Sequence, residues 1–176
     1  MYGIFLLILA IFLVAISARS IYGFVIGAPI LFSPKKATED ALLECQAKPG
    51  EIFYDLGSGT GRTMLVAAKK FGLHVCGFEL SPPIAFVAKC NLWLHGVRKS
   101  NIYSKNFYHA DLSGADIIFC FLTPKAMLRL KSKFERELST GTRIISYAFS
   151  IPGWKPEKVI RNGTPGKVFY YIIKNS

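Results

Sequence analysis

"YDLGSGTGR", Tyr54 to Arg62, decides how this chain is read. Asp55 closes a short apolar run, "EIFYDL", and three glycines follow at alternate positions, Gly57, Gly59 and Gly61. Behind them "RTMLVAAKKF" has helical spacing, with Met64, Ala67, Ala68 and Phe71 on one side. The order implied is strand, glycine turn, helix, and the question is what ligand the turn wraps. A dinucleotide fingerprint, G-x-G-x-x-G/A, needs a small third residue so that the helix can pack close to the strand. Aligning Gly57 and Gly59 with its first two glycines puts Arg62 in that place, which fits poorly. A phosphate-binding loop needs G-K-S or G-K-T after the glycines, and neither follows.

The next strand separates the remaining readings. "HVCGFEL" carries Glu79 near its end. An acidic residue before G-x-G-x-G, with a second acidic residue ending the following strand, is the arrangement of class I S-adenosylmethionine-dependent methyltransferases. The chemistry accounts for each part. Glycines let the backbone approach the methionine moiety, the Asp55 carboxylate can meet its ammonium group, and Glu79 can accept hydrogen bonds from both ribose hydroxyls.

Outward from this point the chain alternates. "PPIAFVAKCNLWLHG" reads as a helix opened by proline and closed by Gly96, and "SNIYSKN" as a weaker third strand. "ADIIFCFL" is nearly continuous in apolar residues, as a strand buried on both faces requires. "TPKAMLRLKSKFEREL" follows with Thr123 as N-cap, Pro124 at N1, and Met127, Leu130, Phe134 and Leu138 on one face. "TRIISYAF" is a fifth strand, and "EKVIR" with "KVFYYIIK", joined across "NGTPG", reads as a closing hairpin. The fold expected is α/β: a Rossmann-like class I methyltransferase sheet, mostly parallel, with a C-terminal antiparallel hairpin.

The N-terminus carries a separate signal. "GIFLLILAIFLVAI", residues 3–16, has no charge, and "IYGFVIGAPILF" continues the apolar character to Phe32. Together these runs are long enough for a helix through a bilayer, with Arg19 able to snorkel. The expected domains are an anchor over 1–32 and a methyltransferase domain over 33–176. Arg19, Lys35 and Lys36 all lie C-terminal to the first run, so the expected topology is single-pass with the catalytic domain on the cytoplasmic side. A short connector, "SPKKATED", separates Phe32 from the helix preceding the glycine loop.

With 22 Lys+Arg against 11 Asp+Glu, the formal net charge of +11 suits nucleic acid, an anionic membrane surface or an acidic partner. A membrane location gives the basic excess a use. Nucleic acid is disfavoured: "FLTP" stands where amino-methylating DNA enzymes carry N/D-P-P-Y/F, and no added RNA-binding domain is visible. Lys125, Arg129, Lys131, Lys133 and Arg136 read as a solvated helix face. Cys45, Cys76, Cys90 and Cys120 have no metal-ligand spacing and read as reduced thiols.

A more specific resemblance rests on "FYDLGSGTGR", "GFELSP", "FLTP", "EREL" and "GTRIISYAFSIPGW", with "GAPILFSP" after the hydrophobic segment. These stretches resemble the membrane-anchored protein lysine methyltransferases whose mitochondrial members modify the ATP synthase c-subunit and the adenine nucleotide translocase. The resemblance implies a seven-stranded sheet, S-adenosylmethionine as methyl donor, and a lysine of a membrane protein as acceptor. It implies a cofactor set of Tyr54, Asp55, Gly57, Ser58, Gly59, Thr60, Gly61, Glu79, Asn106 and Phe107. Thr60 stands where these enzymes commonly have a second acidic residue, and Asn106 where an Asp usually meets the adenine amino group. Leu122, Thr123 and Pro124 fall where class I enzymes line the acceptor channel, with Phe149 and Trp154 as candidate aromatic walls. His95 and His109 read as helix-end and loop residues, not bases. The alternatives are methylation of a lipid-soluble small molecule and a non-catalytic or nucleic-acid-binding role.

Overall fold

The computed structural model describes Tyr2, Gly3, Leu6, Leu7, residues 35–161 and residues 166–174. Helix α1 spans Lys35–Glu44, β1 Ile52–Leu56, α2 Arg62–Phe71, β2 His74–Phe78, α3 Pro82–Leu94 and β3 Ser100–Tyr103. A 3-10 turn, Phe107–His109, leads to β4 Ile117–Cys120, α4 Pro124–Glu137, β5 Arg143–Tyr147, β6 Lys158–Ile160 and β7 Val168–Ile172. The strands form one seven-stranded sheet in the order β3-β2-β1-β4-β5-β7-β6. The first five are mutually parallel, and β7 runs antiparallel to both β5 and β6. This is the mostly parallel sheet with an antiparallel C-terminal pair that the sequence implies; residues 162–165 of the "NGTPG" link lie outside the described residues.

Two apolar layers sandwich the sheet. On one face α1, α2 and α3 contribute Ala37, Leu42, Met64, Ala67, Ala88 and Leu92. On the other, Met127, Leu130 and Phe134 of α4 pack with Phe107 and Ile151 from connecting segments. All four residues of β4 are buried, as its unbroken apolar run requires. In α4 the Thr123 hydroxyl accepts from the Ala126 N–H, Pro124 occupies the first turn, and Met127, Leu130, Phe134 and Leu138 all face inward. The chain runs outward from β1 to β3, then returns to β4 beside β1. The C-terminal ends of β1 and β4 therefore form a topological switch point, where open α/β sheets bind ligands.

Three expectations need correction or delimiting. The connector is shorter than read, because "KKATED" already belongs to α1; Ala37, Thr38, Ala41 and Leu42 give it a narrow buried stripe that its charged residues mask. Lys133 is not part of a solvated face: it is buried, its ammonium donating to both oxygens of Glu137 one turn on at 2.6 and 2.8 Å. The apolar runs read as an anchor lie, apart from Gly3, Leu6 and Leu7, outside the described residues. Among the described residues no helix is long and apolar enough to cross a membrane.

Burial pushes the Cys45 and Cys76 thiols up to about 11 and that of Cys120 up to about 12, which keeps all three protonated and poor nucleophiles.

Candidate functional site

The glycine loop is welded to the end of β2. Gly57 and Ser58 both donate their N–H groups to the Phe78 carbonyl, at 2.9 and 3.1 Å, and Gly61 N–H donates to the Ser58 carbonyl at 2.9 Å. Gly59 N–H donates to the Glu79 carboxylate at 3.0 Å. Gly57, Gly59 and Gly61 have φ of 84°, 52° and 77°, a region that L side chains rarely adopt, so the coil of this loop requires them. Gly61 also faces α3, where a Cβ would meet Ala88 Cβ at 3.4 Å, an ordinary contact, so it is the positive φ that calls for glycine there. The Asn91 side-chain amide fastens that contact by donating to the Thr60 carbonyl at 2.9 Å.

Glu79 is held on three sides. Its own N–H donates to the Tyr103 carbonyl at 3.0 Å, and its carboxylate accepts from Gly59 and, at 2.8 Å, from Ser81 N–H. One strand away Asp55 is buried, and burial, then the neighbouring Glu79 charge, push its carboxyl up to about 8. Nearby Ser58 Oγ is buried without a hydrogen-bond partner, an arrangement that native interiors rarely leave unanswered. The space that a Cβ on Gly59 would take is open.

These features settle the ligand class. A phosphate cradle presents free backbone N–H groups, whereas those of Gly57, Ser58, Gly59 and Gly61 are already committed inside the protein. The Glu79 charge, with a buried Asp55 carboxyl that a neighbouring cation would draw into its ionised form, disfavours an anion and favours a cation. An α-ammonium carrier with a ribose fits: Asp55 for the cation, Ser58 Oγ for an unpaired polar partner, and Glu79 with its oxygens fixed at the rim for the hydroxyls. S-adenosylmethionine has all of these groups.

Other candidate residues divide by where they fall. Asn106 and Phe107 follow β3 at the same end of the sheet. Asn106 Oδ1 accepts from Tyr108 N–H at 3.0 Å, which caps the 3-10 turn, and Phe107 is buried beneath it. The Tyr54 ring stands edge-on to Phe78, and a Cβ on Gly114 would lie 3.3 Å from its hydroxyl. Leu122 is buried, while Thr123 and the exposed Pro124 open α4 at the switch point. Phe121 there stacks edge-on against Tyr147 at 4.8 Å, beside Ala148, whose φ of 70° bends the chain out of β5. Phe149 is 38% exposed at this mouth. Trp154 is not: its indole N–H donates to Glu135 at 3.1 Å and its ring packs on Tyr171, so it closes the core under the 148–157 segment.

Sequence reasoning missed the buttress: Gly77, Ser81, Asn91 and Tyr103. Gly77 has the plainest role. A Cβ there would come within 2.6 Å of Met64 Sδ and 2.7 Å of Ser58 Oγ. Gly77→Ala is therefore expected to push the loop off β2 and weaken cofactor binding several-fold, with a lower unfolding midpoint. Titration and denaturation of the purified variant check both, and unchanged values for both would remove Gly77 from the account.

A recess of 830 Å³ lies at the other end of the strands, beside Glu51, Asp116 and Arg143. Arg143 pairs there with Glu51 and Lys158 with Glu44, each at 2.7 Å.

Known proteins agree with this geometry. The family model of the ANTKMT methyltransferase domain matches residues 55–158. A protein-lysine N-methyltransferase of Saccharolobus islandicus is 34% identical over 150 residues, covering 82% of this chain and 93% of that protein. The Mus musculus adenine nucleotide translocase lysine N-methyltransferase is 32% identical over 84% of this chain, and the Homo sapiens ATP synthase C-subunit lysine N-methyltransferase 32% over 77%. The chain spans 64% and 58% of those two proteins' lengths. A solved RNA methyltransferase from Salinibacter ruber, in complex with S-adenosylhomocysteine, aligns with a TM-score of 0.80 at 26% identity, over 83% of this chain and 95% of that one. With the domain matched across both acidic positions and the glycine loop, the chain belongs to the ANTKMT methyltransferase domain family and is an S-adenosylmethionine-dependent methyltransferase, similar to the three protein-lysine N-methyltransferases named above.

Proposed function

We propose that this protein is a membrane-tethered lysine N-methyltransferase whose acceptor is a membrane protein, with its catalytic domain on the cytoplasmic side. The observation that carries the reading is the join of two signals. A built cofactor site sits at the switch point, and a charge-free apolar run of residues 3–16 precedes α1 in the same short chain. That two relatives are named for lysines of an ATP synthase subunit and a translocase supports the acceptor class.

S-adenosylmethionine, when bound, supplies a methyl group already activated by its sulfonium. The chain's own residues then bind, orient and exclude water. Asp55 holds the ammonium, Glu79 the ribose, Ser58 Oγ a polar atom of the ligand, and Asn106 with Phe107 the adenine side. Phe121, Thr123 and Phe149 line the mouth through which a lysine side chain enters. An amine attacks only when neutral, and an apolar, aromatic mouth next to a cation lowers its pKa, so positioning and desolvation accomplish what a dedicated base would. His95 ends α3 and His109 lies exposed in the 3-10 turn.

Asp55 gives this reading a pH signature. Its folded value of about 8 lies above the ordinary 3.8, so between those limits the folded protein binds the extra proton. Stability of the protein without cofactor then falls as pH climbs from about 4 to about 8, and flattens above. Asp55→Asn is expected to remove this slope and raise the unfolding midpoint at pH 8 while weakening cofactor binding. Parallel pH profiles for the two proteins would overturn the role given to burial at Asp55.

The function itself is tested by mass spectrometry of membrane proteins from cells with and without the gene, followed by purified enzyme and labelled cofactor on the depleted membranes. A methyl-lysine that disappears and is restored supports the proposal. Label restored only to a lipid-soluble small molecule would refute the acceptor.

A further inference from the structure

Helix α3 is apolar on both sides. Ala85, Ala88 and Leu92 face the sheet, at 1%, 0% and 0% exposure. The opposite side should then be polar, as on an ordinary surface helix. Instead Phe86, Val87, Trp93 and Leu94 stand 67%, 50%, 64% and 72% exposed. At positions i, i+1, i+7 and i+8 they form one stripe, continued by Pro83 at its start and by Cys90 at its centre. A contiguous aromatic and aliphatic stripe of this kind marks an interaction surface.

The charges around it define the partner. From Leu80 to Ala110 the chain has no Asp or Glu, while Lys89, Arg98, Lys99 and Lys105 fall in the same stretch. Lys89 lies on the edge of the stripe, and Arg98 and Lys99 follow the helix end, all three exposed. Large apolar side chains flanked by cations alone, with an indole near the helix end, are what a helix lying in the interface of an anionic bilayer requires. The topology agrees. Helix α1, which begins three residues after Phe32, packs against α2, and α2 against α3, all on one face of the sheet. The C-terminal end of α1 is pinned to the start of β5 by Arg143, which donates to the Cys45 carbonyl at 2.9 Å.

We infer that the outer face of α3, Pro83, Phe86, Val87, Cys90, Trp93 and Leu94, is a second membrane contact that seats the domain on an anionic lipid surface. This inference rests on the membrane location proposed above and names the face that meets the lipid. Pro82 is three residues beyond Glu79, and a helix with its side chains is about 10 Å across. A bilayer on this face thus lies within about a helix diameter of the Glu79 end of the site, on the side from which a lysine at the end of a membrane-protein helix would approach.

The test uses the full-length chain carrying Trp154→Phe, which leaves Trp93 as its single indole. The protein is reconstituted into vesicles of phosphatidylcholine, alone or mixed with phosphatidylglycerol, and probed with bromine-labelled acyl chains and with aqueous acrylamide. In the anionic vesicles bromolipid should quench Trp93 at least about twofold more than in the neutral ones, with acrylamide access reduced. Lys89→Gln combined with Arg98→Gln and Lys99→Gln should return both readings toward the neutral-lipid values. Co-flotation with vesicles reports the tether separately. Co-flotation with Trp93 open to acrylamide and untouched by bromolipid overturns this inference and leaves the tether standing. Loss of co-flotation overturns both. Protection of Trp93 to the same degree in detergent and in neutral vesicles means that residues 3–32 or a second copy cover the stripe, and also overturns it.

Discussion

Glu79→Ala is expected to weaken binding of S-adenosylhomocysteine by about ten- to a hundredfold or more, read by isothermal titration of the full-length protein. A hydrogen bond to a charged group contributes about 1.5 to 3 kcal/mol, and each 1.4 kcal/mol is about a factor of ten. Two ribose hydroxyls on one carboxylate therefore suffice for the lower figure and exceed it when both are lost. The truncation also removes the acceptor of Gly59 N–H at 3.0 Å and of Ser81 N–H at 2.8 Å. The loop then loses one of its three bonds to the end of β2, so organisation and contact weaken together. Glu79→Gln separates the two contributions. It keeps one carbonyl acceptor but not the charge, and should fall between wild type and alanine. Wild-type affinity in the alanine variant would show that Glu79 neither holds the ribose nor organises the loop for binding.

The same residue shows what is legible in a sequence. Asp55, the glycines and Glu79 can be read because each lies at the end of a strand whose apolar run has a clear length, and the order of those runs fixes their common edge. The sheet is legible for the same reason: "ADIIFCFL" is too apolar to lie anywhere but the middle, and β4 occupies the position beside β1. What escapes is whatever depends on partners distant in sequence. The Asn91 bond to Thr60 spans 31 residues, and Gly77 matters only because Met64 and Ser58 crowd it from another element. Lys133 looks like its basic neighbours until Glu137 is seen to receive its ammonium. Helix α1 hides for a different reason, since a stripe of Ala37, Thr38, Ala41 and Leu42 is too small to register against its charged residues. Composition reads large apolar side chains well and close packing of small ones badly.

Position along the chain leads to the second large effect. Because α1 begins at Lys35, only Ser33 and Pro34 lie between it and Phe32, a reach of about 10 Å even when extended at about 3.5 Å per residue. Helix α1 adds about 15 Å for its ten residues. With residues 3–32 in a bilayer, as proposed above, a cofactor site at the switch point would stay within a few nanometres of its surface. Confinement of this kind raises the effective concentration of acceptors in the same membrane without changing any contact in the site. Removal of residues 1–28 is accordingly expected to leave S-adenosylmethionine affinity unchanged while lowering methylation of the native acceptor by about tenfold or more. Full-length and truncated enzyme are compared on isolated membranes with labelled cofactor, with binding measured alongside. Lower affinity in the truncated form would mean that the segment supports the fold. Equal labelling by the two forms would mean that it contributes nothing to substrate choice, and the acceptor would then be sought among proteins that are not in the membrane.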